Sequence, residues 1–230
     1  MTPEIQRIRE EYSRRDREIA PGHYSWKHSA NYFMHVQCGR AVIRGLTRAG
    51  LFPLDGARVA DIGCGTGVWL CEFLQWGAEL RDLHGIELNE SRLAVARRRL
   101  PGADLHEGDA QELPWRDRSL DIVTQFTVFT SVLDPEVKTR LAAEMWRVLR
   151  PGGAIVWYDF RVNNPSNASV RGIGVREIRK LFPHAIVHLA SVTLLPPLTR
   201  RISWSAATAL EVLPFLRTHY AGTLKKPFEA

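Results

Sequence analysis

Between Ala57 and Phe160 the chain alternates short apolar runs with stretches of helical spacing. "ARVADIG", "DLHGIEL", "ADLHEGD", "LDIVTQF" and "GAIVWYDF" read as strands. Helices are expected from Gly67 to about Trp76, over 91–99 and over 135–149. The last of these opens with Asp134 as N-cap and Pro135 in the first turn. Short β-branched runs joined by helices predict a parallel sheet with crossovers, hence an α/β sandwich.

The flanks differ. Ile5, Ile8, Tyr12 and Ile19 recur at helical intervals among charges and predict an amphipathic helix over 4–19. "APGHYSWKHSANYF" (20–33) breaks that pattern, and a second helix is expected over about 34–49, ending at Gly50. Beyond Phe160 the alternation weakens. "RVNNPSNAS" reads as a polar loop, "VREIRKLF" as a short helix and "HAIVHLASVTL" as a strand. "SWSAATALEVLPFL" reads as a helix before a last strand near "HYAGTL". No linker divides the chain, and 230 residues suit one domain.

Composition narrows the classes. No apolar run approaches the roughly 20 residues of a membrane span, and the N-terminus lacks the apolar core of a secretory signal. Cys38, Cys64 and Cys71 have no metal-ligand spacing, so a reduced, cytoplasmic protein is expected. The net charge of +6 is scattered over Arg14–Arg17, Arg97–Arg99, Arg200–Arg201 and Lys225–Lys226 on separate elements. A solvated basic surface is expected, with no nucleic-acid partner.

The chemistry concentrates in "VADIGCGTGVWL" (59–70). Gly63, Gly65 and Gly67 follow a strand and open a helix, where an open parallel sheet binds ligands. A phosphate loop would need G-x-x-x-x-G-K-[ST], and a dinucleotide loop G-x-G-x-x-G; neither is present. Asp61 just before the loop is awkward for a pyrophosphate but suits a ligand with a cationic end.

"VADIGCGTG" resembles the first motif of the class I (Rossmann-like) S-adenosylmethionine-dependent methyltransferases, and later motifs follow in order. Glu87 closes "HGIEL" where that family places the acid for the ribose hydroxyls, with Leu88 beside it. Asp109 and Ala110 in "EGDAQELPW" look like its adenine-reading pair. "LDIVTQF", ending at Gln125 and Phe126, and "RVLRPGGAIVWYDF" resemble its fourth-strand and following signatures. The resemblance implies S-adenosyl-L-methionine as cofactor. It also implies a three-layer α/β/α fold whose seven-stranded sheet is mostly parallel, with an antiparallel last strand. Cofactor contacts are then expected from Asp61, Gly63, Cys64, Gly65, Gly67, Glu87, Leu88, Asp109, Ala110, Gln125 and Phe126. Tyr24 and Gln37 are added at the methionine end. The whole chain, 1–230, is expected to be one methyltransferase domain, with a helical lid over 1–50, a cofactor half over 51–160 and an acceptor half over 161–230.

The acceptor side is less defined. Metal-assisted catechol-type relatives carry Asp where Gln125 stands, so no metal is expected. The [DN]-P-P-[YF] motif of base-amine methylation is absent from "QFTVFTS". Phe126 and Phe129 suggest an apolar wall for a small organic acceptor, of the natural-product or glycolipid kind. His23, His28 and His35 are candidates for a general base carried on a lid, and Tyr158 and Asp159 point at the acceptor by position. An RNA or protein acceptor, or a catalytically silent cofactor-binding subunit, stand as alternatives.

Overall fold

Apolar positions in the central strands alternate between two faces, and that alternation builds two layers of helices. In the computed structural model, which describes residues 2–19, 22–23, 25–165 and 167–228, the strands are β1 (Val59–Ile62), β2 (Leu83–Glu87), β3 (Asp104–Glu107), β4 (Leu120–Phe126), β5 (Leu149–Phe160), β6 (Ile186–Leu194) and β7 (Arg217–Lys225). They form one seven-stranded sheet in the order β3-β2-β1-β4-β5-β7-β6. The pairings among β1 to β5 are parallel, and β7 runs antiparallel to both neighbours.

On one face, Val59, Ile122 and Val156 pack with Cys38, Val42 and Leu46 of α2 (Ser29–Ala49), Leu70 and Phe73 of α3 (Val68–Gln75) and Leu93 of α4 (Glu90–Arg99). On the other, Ala60, Val123, Ile155 and Trp157 meet Ile5 and Ile8 of α1 (Pro3–Glu18), Leu141 and Met145 of α5 (Pro135–Val148) and Ile178 of α6 (Val175–Leu181). Each fully buried leucine or isoleucine contributes about 1.5–3 kcal/mol, so both layers are held by the same hydrophobic term. The Asp134 carboxylate caps α5 through the Glu136 and Val137 N–H groups, with Pro135 in the first turn.

Two boundaries differ from the sequence reading. The second helix begins at Ser29 rather than about 34, because Phe33 is buried with Leu194 and Ala207 and holds that first turn in place. It is also part of the sheet packing, through Cys38, Val42 and Leu46, so α2 is core structure. The expected helix over 203–216 resolves into two pieces, α8 (Trp204–Leu210) and a 3-10 turn at Pro214–Leu216, and a separate short helix, α7 (Pro196–Thr199), precedes them. Pro196 and Pro214 sit in the first turns of the short pieces, where a proline ring is tolerated. Among the described residues no helix is long and apolar enough to cross a membrane.

Candidate functional site

β1 lies between β2 and β4, so the chain leaves it in one direction and later returns on the other side. A crevice forms at such a switch point, and the glycine loop sits there. Gly65 has φ 55°, and a Cβ on it would meet nothing within 4 Å, so the backbone conformation, not crowding, calls for glycine. The space beside it is open to a ligand. At Gly67, φ 77°, closeness adds to conformation: a Cβ would stand 3.1 Å from Leu100 and 3.2 Å from Ala96 under α4. The Cys64 side chain turns down beneath β2, within 3.0 Å of a Cβ placed on Gly85, so Cys64 offers the crevice only its backbone; burial pushes its thiol well up.

Glu87 organises the loop. Its two oxygens accept from the Gly65 N–H and the Asn89 N–H, each at 2.8 Å, leaving further lone pairs on both oxygens. Asp61 is 2% exposed and accepts from the Thr124 hydroxyl at 2.7 Å. Burial, with the Glu87 charge adding to it, pushes its carboxyl up to about 7. Asp109 accepts from the Gln111 backbone N–H at 2.9 Å and from the Gln111 amide at 2.8 Å. The Gln111 amide thus sits where a ligand amine would donate. Gln125 is fully buried: its Oε1 accepts from the Val128 N–H at 3.0 Å, and its Nε2 has no partner. The Val128 side chain lies 2.9 Å from where a Cβ on Gly63 would stand, so that loop roofs the crevice.

α1 covers the same edge of the sheet. Glu4 accepts from the Leu133 and Asp134 N–H groups, Arg7 donates to the Ser131 carbonyl, and Asp16 pairs with Arg92 of α4 at 2.7 Å. The helix therefore bridges the loop after β4 and the start of α4. Leu88, Ala110, Val128 and Tyr12 pack against the cluster that holds Ile5 and Ile8. A separate cavity of about 560 Å³ lies among Arg7, Glu11, Arg14, Ala168 and Ser169, away from the glycine loop. The polar loop beside it satisfies its own backbone, with Asn163 and Asn167 accepting from the Gly172 and Ser169 N–H groups.

Across the crevice runs a wall of rings that the sequence reading found only in part. Phe126 stacks on Trp69 at 4.1 Å and 6°. Trp69 meets His35 at 4.6 Å, and His35 meets Trp26 at 4.3 Å. On the other side Phe126 is followed by Tyr158, which stacks on His219 at 4.6 Å. The signal for Trp69 was its place in the first turn of the helix after the loop, facing the end of β4. Two β-branched residues with positive φ flank Tyr158: Thr127 (60°), whose N–H donates to the Tyr158 carbonyl, and Thr193 (60°), whose hydroxyl lies 2.9 Å from the Tyr158 hydroxyl. Such conformations cost about 1–3 kcal/mol each, so surrounding structure holds them there.

Of the candidate bases, only His35 joins this wall. Its Nε2 is 3.0 Å from Glu72 Oε1. His23 and His28 are exposed, and His28 serves as the N-cap position of α2. Tyr24 lies outside the described residues. Three expectations are corrected. Asp159 does not face the crevice: it is fully buried, accepting from the Thr130 hydroxyl (2.6 Å), the Thr130 N–H and the Phe160 N–H. Gln37 does not reach the loop, because its amide donates to Glu211 and accepts from the Leu194 N–H, clamping α2 to β6. Phe129 is core, packed on Trp157 at 4.8 Å.

The methyltransferase domain family matches residues 59–153, from β1 into β5. Residues 59–153 thus carry a methyltransferase domain, on the fold of the S-adenosylmethionine-dependent methyltransferases. The chain is 35% identical over 130 residues to a phthiotriol/phenolphthiotriol dimycocerosates methyltransferase of Mycobacterium tuberculosis, covering 56% of this chain and 47% of that one. A demethylmenaquinone methyltransferase of Listeria welshimeri is 29% identical over 147 residues, covering 62% and 59%. The chain thus spans about half the length of the curated relatives it matches first. A putative methyltransferase of Haloferax volcanii, solved with its Trm112 activator, shares the fold with a TM-score of 0.62, 19% identity and coverage of 90% and 97%.

This family's cofactor is S-adenosyl-L-methionine, and the donor set of the crevice suits it. A buried carboxylate beside open backbone at Gly65 matches a ligand with a cationic end. A second carboxylate with spare lone pairs one strand away matches a pair of hydroxyls.

Proposed function

We propose that the protein transfers a methyl group to a small organic acceptor with an apolar or aromatic body. The wall of Trp69, Phe126 and Tyr158 beside the glycine loop carries this reading, because a surface built of aromatic rings favours flat, apolar ligands. Lipid and menaquinone-precursor acceptors of the kind named for the mycobacterial and Listeria relatives fit such a wall.

When bound, the cofactor supplies a methyl group on a sulfonium, which is already an activated leaving group. The chain's own part is to hold and orient. Asp61 and the Gly63–Gly65 backbone hold the methionine end, Glu87 the ribose and Asp109 with Ala110 the adenine. Displacing the Gln111 amide from Asp109 frees an acceptor for the adenine amine. Phe126 and Tyr158 hold the acceptor, and α1 excludes water from above. His35 is the base in this reading. Glu72 accepts from its Nε2–H, which leaves Nδ1 able to take a proton from the acceptor. No metal takes part.

Incubation with methyl-labelled cofactor and a panel of quinols, phenols and lipid alcohols, in excess chelator, tests this. Label should enter an apolar acceptor, and His35→Ala should lower kcat by about 10²-fold or more while the cofactor still raises the melting temperature. Label appearing only in RNA or protein, or in nothing until magnesium is restored, would overturn the reading.

A further inference from the structure

We propose that the face made by Trp26, the start of α2 and residues 195–216 docks onto an anionic lipid surface. The segment "LPPLTRRISWSAATALEVLPFL" (195–216) is apolar on both sides. Its inner side is satisfied: Leu198, Ile202, Leu210 and Leu216 pack around Phe33 and Leu194. Its outer side still presents Trp204 (44% exposed), Val212 (65%), Phe215 (77%) and Leu195 (40%). A single exposed leucine is ordinary on a protein surface, but a group of this size confined to one segment is not. The patch continues onto the N-terminal turn, because Tyr32 lies 6.0 Å from Trp204 and Trp26 lies 6.0 Å from Tyr32, ring to ring, with both 45% exposed.

Charge selects the occupant. Lys27, Arg200 and Arg201 are exposed on the same segments, and among the described residues no carboxylate lies within ion-pair distance of them. The one acid of the segment, Glu211, is taken by Gln37 and Arg40. Cations without counter-charges, interleaved with tryptophan, tyrosine and phenylalanine, match a leaflet of acidic headgroups over hydrocarbon. Position supports the same occupant. From Trp26 the rings run inward through His35 and Trp69 to Phe126, so the patch lies at the outer end of the acceptor wall. Docking there would let an acceptor dissolved in the bilayer enter without crossing water.

This extends the proposed transfer reaction, and its test reads binding without turnover, so the two can fail separately. The full chain is sedimented with vesicles of equal parts phosphatidylglycerol and phosphatidylcholine, and with pure phosphatidylcholine. Expected is binding to the acidic vesicles that weakens as salt is raised. Each cation at such a surface strengthens binding about fivefold, so Arg200→Glu with Arg201→Glu should weaken partitioning at least about twentyfold. Val212→Ser with Phe215→Ser, at the two most exposed apolar positions of the 195–216 segment, should weaken it as well. Unchanged melting temperatures, and an unchanged shift with S-adenosylhomocysteine, would certify that both variants fold. Equal or no binding to the two vesicle types, or full binding by folded arginine variants, would overturn the proposal. So would a wild-type dimer that the Val212/Phe215 variant dissociates without any vesicle binding, which would assign the face to a second copy.

Discussion

β1 and β5 each end in a buried aspartate at the next-to-last position, Asp61 and Asp159. Both are at most 2% exposed, both accept from a threonine hydroxyl, and burial pushes both up to about 7. Their partners separate them. Asp159 also receives the Thr130 and Phe160 N–H groups, so the loop after β4 is knitted to β5 through one carboxylate. For Asp61 the partner found among the described residues is the Thr124 hydroxyl, and the open backbone at Gly65 lies beyond it. One acid is saturated and structural; the other keeps capacity for a ligand. A raised carboxyl alone does not mark a site, and the donors already spent on it decide its role.

The largest effect should come from breaking the saturated member. Asp159→Ala strands the Thr130 hydroxyl and two backbone N–H groups in the core, at about 1–3 kcal/mol each. A loss of about 3 kcal/mol or more lowers the melting temperature of a chain this size by about 6–12 °C. Asp61→Asn should do the reverse: melting unchanged or slightly raised, with affinity for S-adenosylhomocysteine down tenfold or more as a charge-assisted contact is lost. Calorimetry and thermal melts on both variants are decisive. An Asp61 variant that melts low and binds normally would erase the distinction.

The same contrast explains what was legible. The glycine-loop edge could be read because its residues carry their reasons in local spacing: glycines at a strand end, Glu87 closing β2 and Asp109 after β3. Asp159 sits at an equally suggestive strand end, yet its partners are Thr130, 29 residues earlier, and two backbone groups. No local pattern reports them. Gln37 likewise finds Glu211 across 174 residues. Trp69 was in plain view, but its stacking on Phe126 depends on how α3 leans over β4. Distant pairing also made the C-terminal third hard to read. The helix expected over 203–216 stops short of Pro214: α8 packs on α2 and the 3-10 turn at Pro214–Leu216 packs on β6, so neither is held by its own periodicity.

Acidity sharpens the comparison further. Both folded values, about 7, lie above the ordinary 3.8 of an aspartate. Each group therefore adds stability that is fully present below about pH 4 and lost as pH rises through 7, so the free protein should melt lower at pH 8 than at pH 5. Cofactor affinity should slope the other way, because an ammonium needs Asp61 ionised. Titration with S-adenosylhomocysteine should show affinity rising up to about tenfold per unit below pH 7 and levelling above it. Asp61→Asn should flatten that rise and leave the Asp159 part of the melting slope. Affinity independent of pH in the wild type would remove Asp61 from the methionine end.

The smallest effect concerns α1, whose hold on the crevice is polar at both ends and apolar between. Glu4 and Arg7 tie it to the loop after β4, Asp16 ties it to α4, and Ile5 and Ile8 are buried along its underside. A flap that orders only over ligand would show no such set of contacts in the free chain, whereas a fixed helix would keep them all. The arrangement lies between these limits, since its ion pairs are partly exposed and worth about 0–1 kcal/mol each. Local opening should therefore be easy, and ligand beneath the helix should oppose it. Amide exchange over 4–18 is expected to slow by a few fold when S-adenosylhomocysteine is added, while α5 on the same face of the sheet stays unchanged. Asp16→Ala should speed exchange in the last turns of α1 and lessen ligand protection there. Equal protection with and without ligand would make α1 a permanent part of the wall, and the acceptor would then have to enter from the side of Trp26 and Trp69.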